Sequence, residues 1–548
     1  MKNHLWPKSL LVFSILIVLA QLLSSCAPAT PEETVVLRLG TLGFPDSRNP
    51  AAATLGDSYS IFDLVYTPLL REGTNGRYVG ELARSWEVSA DGRVWTFHLN
   101  NNVKWHDGTR FTAQDMVSSI QAVIDNPDGW ASFSAYVAGF SQVTAPDNTT
   151  LEITLDSPVG NMEYRVSFLY ALYPAHFGPL TNTDALLAFE NVEMIGTGPF
   201  KLKLFDPTTG LITLEANRDF YGQQPKIDEV IFQTFDDVDA MMGMLQDGSL
   251  DAVLDLPQNL YSLVQTFDDI QTVRQPGRYF TDLIINSTPF DHIPAPNYNP
   301  ALADPQVRLA IAQSIDKQAL VDIVLEGLGT PGLTIIPATL GGGFWQNTNI
   351  QDVVYDPDAA MQTLEAAGYT PESDGIRGKD GLRLEFRLQY PDSDPNYARV
   401  ADLISIWLQA VGMKANIEMV DSDTLMTAMT PTGDFDLVIW GWGPDPDPDF
   451  ILSVLTSDQF VDGGWSDSGY MNPIYDQLYI EQQTTFDQNK RQQIIWQMQE
   501  IIFNDRPYLV LWYEDTLQAY RNDTFQNYIQ SPLGIESVFS LTQVEPVK

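Results

Sequence analysis

The chain of 548 residues has few cysteines, histidines and basic residues. Its one cysteine, Cys26, excludes a disulfide framework and a thiolate metal cluster, and its five histidines are too dispersed to suggest a metal site. Lys and Arg number 30 against 71 Asp and Glu, so the formal net charge is −41. Because a charge of this sign repels phosphate backbones, we expect no nucleic-acid partner.

Long apolar runs are also scarce, and the longest lies near the N-terminus. Basic residues Lys2 and Lys8 precede an almost uninterrupted apolar run over residues 10–23, which ends in Leu-Ser-Ser-Cys. A run of this length falls short of the roughly 20 residues of a transmembrane helix and is typical of a secretory signal peptide. A cysteine directly after the cleavage point resembles the bacterial lipobox, in which the thiol is diacylated.

We therefore predict a lipoprotein signal peptide over residues 1–25, a lipid anchor on Cys26 and a short tether over 26–35. The predicted location is extracytoplasmic, either in a periplasmic space or on the outer face of the cytoplasmic membrane. Two acyl chains suffice for stable anchoring. The alternative is a simple secreted protein in which the cysteine is incidental.

Two hydrophobic periodicities alternate along the rest of the chain, which predicts an α/β protein of more than one lobe. Residues 382–390 alternate between apolar and polar, 400–411 carry a helical stripe, and 415–419 alternate again. This order is typical of a βαβ unit. Asp304 followed by Pro305 predicts a capped helix start.

Searches for catalytic, cofactor and metal motifs fail. The G-x-G-x-x-G pattern at 327–332 follows a helical stretch and holds a proline where a helix should open, so we predict a loop there. The aspartates of 445–449 alternate as D-x-D-x-D, but Phe450 and Thr456 stand where a calcium loop needs glycine and glutamate. We expect no catalytic residues, no metal and no cofactor, although a secreted hydrolase is a functional alternative.

An ordered set of segments resembles the extracytoplasmic solute-binding proteins of ABC importers, specifically family 5, whose members bind oligopeptides, dipeptides or nickel. The most specific segment is 82–119, which contains L-A-R-S-W-E-V-S-A-D-G, W-T-F-H-L, V-K-W-H-D-G-T and F-T-A-Q-D. G-T-G-P-F at 196–200, N-R-D-F-Y at 217–221 and the stretch 304–317 follow in the order of the family. The resemblance covers essentially all of the chain after the tether.

The resemblance implies a two-lobed periplasmic-binding-protein (Venus-flytrap) fold of class C, or type II, with an extra subdomain. Lobe I would combine 36–72, 190–290 and 515–548, the extra subdomain would span 73–189, and lobe II would span 291–514. It also implies a function: a monomeric binding protein, not an enzyme, captures a peptide or other small solute between its lobes. The protein would then deliver the solute to an ABC permease and its ATPase subunits.

The resemblance points to a loop that follows a short buried strand. In peptide-binding relatives, a tryptophan at this place is followed three residues later by an aspartate that pairs with the α-ammonium of the peptide. Counting from Trp442, that aspartate is Asp445. The loop is one residue shorter than in those relatives, so Asp447 is the alternative, and we expect Asp449 to be exposed. A solvated acidic loop without a ligand role also remains open.

Other ligands remain open as well. Trp440, Trp442 and Trp465 could form a stacking wall, as in relatives that bind oligosaccharides, or could belong to the core. Three aspartates in one loop would suit a cationic or metal-bearing ligand. Nickel would require a chelate or histidines, and the histidines of this chain lie outside the loop.

Overall fold

The computed structural model describes residues 34–289 and 297–548. The predicted signal peptide, Cys26 and most of the tether lie outside the described residues. Within the described ranges, every helix is too short or too polar to cross a membrane.

The strands are numbered in chain order. They are β1 Val36–Thr41, β2 Leu70–Glu72, β3 Tyr78–Gly80, β4 Ala83–Val88, β5 Val94–Leu99, β6 Phe140–Asp147, β7 Thr150–Leu155, β8 Phe200–Asp206, β9 Leu211–Ala216, β10 Glu229–Thr234, β11 Ala252–Val253, β12 Ile270–Ile285, β13 Gly329–Pro331, β14 Thr370–Pro371, β15 Arg377–Lys379, β16 Leu382–Arg383, β17 Glu385–Pro391, β18 Lys414–Val420, β19 Leu437–Trp442, β20 Tyr508–Arg521, β21 Phe525–Gln526 and β22 Glu545–Pro546.

The α-helices are numbered in the same way. They are α1 Gly56–Val65, α2 Ala113–Asp125, α3 Ala131–Ser134, α4 Met162–Phe168, α5 Pro174–Phe177, α6 Thr183–Leu187, α7 Val238–Asp247, α8 Gln258–Val264, α9 Pro305–Ser314, α10 Lys317–Val324, α11 Pro357–Ala366, α12 Asn396–Ala410, α13 Ser422–Met429, α14 Asp449–Ser453, α15 Pro473–Thr484, α16 Gln488–Asp505 and α17 Val538–Leu541.

One large mixed sheet runs through both lobes. Its order is β18-β17-β19-β12-β20-β11-β1-β10-β9-β8, with β13 paired to β20 at the side. The two longest strands, β12 and β20, are antiparallel to each other and pass from one lobe into the other. The lobes are therefore joined through hydrogen-bonded strands rather than through loose linkers.

The packing of the crossing strands locates the lobe boundary. In β12, Val273 packs into the core of lobe I, whereas Phe280 and the apolar residues after it pack into the cores of lobe II. The register of β12 against β20 shifts between Pro276 and Phe280. This packing favours a boundary between the lobes within residues 276–280 rather than the one predicted at 290. We propose that residues 276–280 form the hinge.

The extra subdomain is built on the antiparallel sheet β4-β5-β7-β6. Its apolar residues, such as Phe97 and Ile120, belong to the same core cluster as Leu37 and Leu39 of lobe I. Helix α2 begins with a capping box, in which the Thr112 backbone N–H donates to the Asp115 carboxylate at 2.7 Å. The subdomain therefore packs on lobe I as a continuous body.

Lobe II contains the predicted βαβ unit. Strands β17 and β18 are parallel and are joined by α12, whose apolar stripe packs on them. Asp304 caps α9 through the Gln306 N–H at 2.9 Å, as predicted. The prediction of a loop at 327–332 was wrong in part, because Thr330 pairs with Tyr513 and makes β13 a short edge strand.

Candidate ligand-binding site

The acidic loop predicted as the ligand segment connects β19 to α14. It lies between α4 of the extra subdomain and α16 of lobe II, so its side chains meet groups from two parts of the molecule. Pro446 and Pro448 restrict the backbone of the loop, which limits the entropy lost on ordering its aspartates.

The Asp445 carboxylate is partly buried and has a single neutral partner. The Tyr164 hydroxyl of α4 donates to Asp445 Oδ2 at 2.8 Å, and among the residues described it is the one hydrogen-bond donor to that carboxylate. Burial raises the pKa of Asp445, and the hydrogen bond from Tyr164 counteracts part of that rise. The group therefore has a free oxygen atom, Oδ1, that could accept from a cation.

The Asp447 carboxylate is used inside the protein. Arg491 donates to both of its oxygens at 2.6 Å, and both side chains are almost fully buried. The same guanidinium donates to the Gly160 carbonyl at 3.2 Å and lies over the Trp345 ring. A bidentate pair of this kind leaves little capacity for a ligand, so the structure does not favour the alternative assigned to Asp447.

Asp449 is not exposed, contrary to the sequence-based prediction. Gln482 donates to one of its oxygens at 2.6 Å, and Asn161 of the extra subdomain approaches the other at 3.3 Å. Amide groups from two elements cover it, and burial raises its pKa. Of the three aspartates in the loop, Asp445 alone retains an open oxygen.

The predicted tryptophans occupy different environments. Trp442 Nε1 donates to Asp467 at 3.0 Å, and its ring meets Phe450 edge-on, with centroids 6.1 Å apart. The Trp465 ring also meets Phe450 edge-on, with centroids 5.5 Å apart, and Trp465 is 53% exposed. Trp440 packs against the core of lobe II, as Trp442 and Phe450 also do. The structure thus brings Trp442 and Trp465 into one aromatic row and leaves Trp440 outside it.

Sequence reasoning missed an aromatic cluster on the extra subdomain. Tyr136, Tyr164 and Phe168 pack together, with ring centroids between 5.0 and 5.6 Å apart. Tyr164 reaches Asp445 from 281 positions away in the chain. No local motif marks these residues, because their role depends on how α4 docks against lobe II.

Cavities open where the described parts of the two lobes meet. The first, of about 240 Å³, is lined by Tyr59 of α1, Phe168 of α4, Arg278 of β12, Pro446 and Glu536. Pro446 directly follows Asp445, so this cavity adjoins the predicted ammonium partner. Arg278 forms an ion pair with Glu72 at its wall.

The second cavity, of about 430 Å³, lies beside the crossing strands. Leu42 and Asp255 line it from lobe I, Asp394 and Asn396 line it from lobe II, and Glu514 of β20 lies between them. Both cavities draw their walls from separate parts of the chain. A solute held there would contact both lobes, as the hinge mechanism of binding proteins requires.

Comparisons with known proteins agree with this architecture. Residues 77–462 match the family described as bacterial extracellular solute-binding proteins, family 5 Middle, and the chain belongs to that family. The oligopeptide-binding protein AppA of Bacillus subtilis is 25% identical over 93% of this chain and 94% of its own. The dipeptide-binding protein of Escherichia coli is 27% identical over 90% of this chain and 91% of its own.

A solved structure shows the same fold. NikZ from Campylobacter jejuni, in complex with Ni(L-His), superposes with a TM-score of 0.72, covering 94% of this chain and all of NikZ at 24% identity. The two-lobed α/β fold predicted from the sequence is therefore confirmed. Members of the family are binding proteins rather than enzymes, and this chain is an extracytoplasmic solute-binding protein of the ABC-importer type.

Proposed function

We propose that this protein captures a peptide between its lobes and delivers it to an ABC permease. The observation that carries the proposal is the Asp445 carboxylate, which is partly buried, bonded to one neutral hydroxyl and open at its second oxygen. The relatives named for oligopeptides and dipeptides support a peptide as the ligand.

An unblocked peptide carries an α-ammonium group at its N-terminus. An ammonium taken out of water requires an anionic partner, since a buried charge without a partner is costly. Asp445 supplies that anion at the junction of lobe II and the extra subdomain, and Tyr164 can remain as a neutral neighbour. Asp447 is a weaker candidate because Arg491 already neutralises it.

We also propose that the protein acts at the membrane surface. A lipid on Cys26 would hold the binding protein at the outer face of the membrane, close to its permease. The tether would give the body its reach, and we expect the body to act as a monomer. The apolar run at 10–23 and the cysteine after it are the features that support the anchor.

The decisive test is calorimetric titration with unblocked alanine peptides of two to six residues. Removing one partner of a buried charge pair costs about 2–5 kcal/mol, so Asp445→Asn should weaken binding by about 30-fold or more. N-acetylation of the peptide should weaken binding to the unmodified protein and add little in the variant. Asp462→Asn, at an exposed position of the same lobe, is the matched control and should bind normally.

The exposed Trp465 supports a second candidate, an oligosaccharide stacked on the row Trp442, Phe450 and Trp465. This candidate predicts that Trp465→Ala abolishes binding of a neutral oligosaccharide and leaves peptide binding intact. If Asp445→Asn has no effect on peptide affinity while an oligosaccharide binds through these rings, the ammonium site is refuted.

A further inference from the structure

The indole of Trp442 is bound to a buried acidic residue, Asp467, in the segment before α15. Trp442 Nε1 donates to Asp467 Oδ2 at 3.0 Å, and the Tyr508 hydroxyl of β20 donates to Oδ1. Asp467 is 5% exposed. Its two oxygens thus join the last residue of β19 to the first residue of β20.

A second carboxyl group accompanies this one. Asp282 of β12 is fully buried, and both of its oxygens lack a hydrogen-bond partner among the residues described. Asp282 is paired across the sheet with Trp440, two residues before Trp442. A buried carboxyl group with no donor is far more stable in its neutral form.

We propose that Asp467 is a positioning residue of the ligand-binding loop and that its charge sets the affinity for the solute. The proposal rests on the proposed function, because it takes the segment from Trp442 to Asp445 as part of the binding site. Only Gly443 and Pro444 lie between Trp442 and Asp445 in the chain. Pro444 fixes one backbone angle of this short segment, which limits how far Asp445 can move independently of Trp442.

The geometry makes this anchor sensitive to pH. The titratable groups that the described residues place against Asp467 are Asp282 from β12 and Tyr508 from β20. Burial raises the pKa of Asp282 well above its usual range, and the charge of Asp467 adds to the rise. Burial raises the pKa of Asp467 to about 7, against the opposing hydrogen bonds from Tyr508 and Trp442. Asp467 is therefore the member of the pair that changes charge near neutral pH.

The charged form of Asp467 holds the indole more strongly. A hydrogen bond to an ionised acceptor is roughly twice as strong as one to a neutral acceptor. Above neutral pH the Trp442 ring is fixed, and below it the ring is held less firmly. We expect solute affinity to rise by about three- to tenfold between acidic and alkaline conditions on either side of neutrality.

The first experiment follows Trp442 in the protein without ligand. The chain is labelled with 5-fluorotryptophan, and the Trp442 resonance is assigned with the Trp442→Phe variant and followed against pH by ¹⁹F NMR. We expect an inflection near neutral pH that disappears in Asp467→Asn and persists in Asp462→Asn, an exposed aspartate five positions earlier. A resonance that titrates identically in the wild type and Asp467→Asn would overturn the proposal.

A second variant keeps the test valid if Asp467→Asn does not fold. Tyr508→Phe retains the Asp467 charge but removes a donor that lowers its pKa, so the inflection should move to higher pH. A shift to lower pH, or no shift, would contradict the assigned contacts.

The second experiment measures affinity for trialanine against pH in the wild type and in Asp467→Asn. The wild type should bind more tightly as pH rises through neutrality, and the variant should show a flatter profile. Parallel profiles would overturn the positioning role. A protein that shows the ¹⁹F inflection but binds no peptide would support the Asp467–Trp442 contact and refute the peptide assignment, so the two failures are distinguishable.

Discussion

Replacing Arg491 with methionine should destabilise the protein severely without touching the proposed ligand group. The guanidinium is 1% exposed, bonds both oxygens of Asp447 at 2.6 Å, and also donates to the Gly160 carbonyl and the Gln482 side chain. Its loss leaves the Asp447 carboxylate buried without a counter-charge. Breaking a buried pair in this way costs about 3–5 kcal/mol.

The assay is urea unfolding at neutral pH, followed by tryptophan fluorescence and far-ultraviolet circular dichroism. The double variant Arg491→Met with Asp447→Leu should recover most of the loss, because removing both charges of a buried pair is often close to neutral. Arg383→Met, at the exposed pairs with Glu372 and Asp374, is the control and should have a much smaller effect. An Arg491→Met variant as mild as that control, or a double variant less stable than either single one, would contradict this expectation.

Three other measurements test the anchor, the buried Asp467 and the absence of turnover. Cys26→Ser should release the protein from membranes into the soluble fraction, and a variant that stays bound through high-salt and carbonate washes would disprove the lipid anchor. Burial raises the pKa of Asp467 to about 7 in the folded state, so its contribution to the unfolding free energy is present at low pH and is lost as pH rises from about 4 to 7. In denaturant unfolding, the unfolding free energy of Asp467→Asn should therefore fall less over that pH range than that of the wild type. Equal falls in the two proteins would contradict the raised pKa. Peptide incubated with the purified protein should be recovered intact and in stoichiometric amount by mass spectrometry, whereas cleavage over many turnovers would show an enzyme.

Local signals explain why much of the fold could be predicted. The capping residue Asp304, the capping box Thr112–Asp115 and the alternation of β17 and β18 each act within a few residues, so the sequence encodes them directly. The edge strand β13 escaped prediction because its residues become a strand only by pairing with β20, almost 200 positions later. The crossing of β12 between the lobes depends in the same way on pairing with β20.

In the candidate site, too, local features could be predicted from the sequence and distant partners could not. Resemblance to the family pointed to Asp445, but its partner Tyr164 comes from a helix that no motif connects to the loop. Arg491, which neutralises Asp447, lies 44 positions away, and no local motif marks it as a partner of the loop. The prediction that Asp449 is exposed failed because Asn161 and Gln482 approach it from two other elements.

These partners assign different roles to three aspartates that look equivalent in the sequence. Asp447 faces a guanidinium and is neutralised, so it serves the fold. Asp449 faces two amide groups that hold both of its oxygens, so it joins the extra subdomain to lobe II. Asp445 faces one hydroxyl group, which supplies a hydrogen bond but no positive charge. A carboxylate bonded in that way has an oxygen left for a further donor, and under the proposed function the α-ammonium of a peptide would supply it.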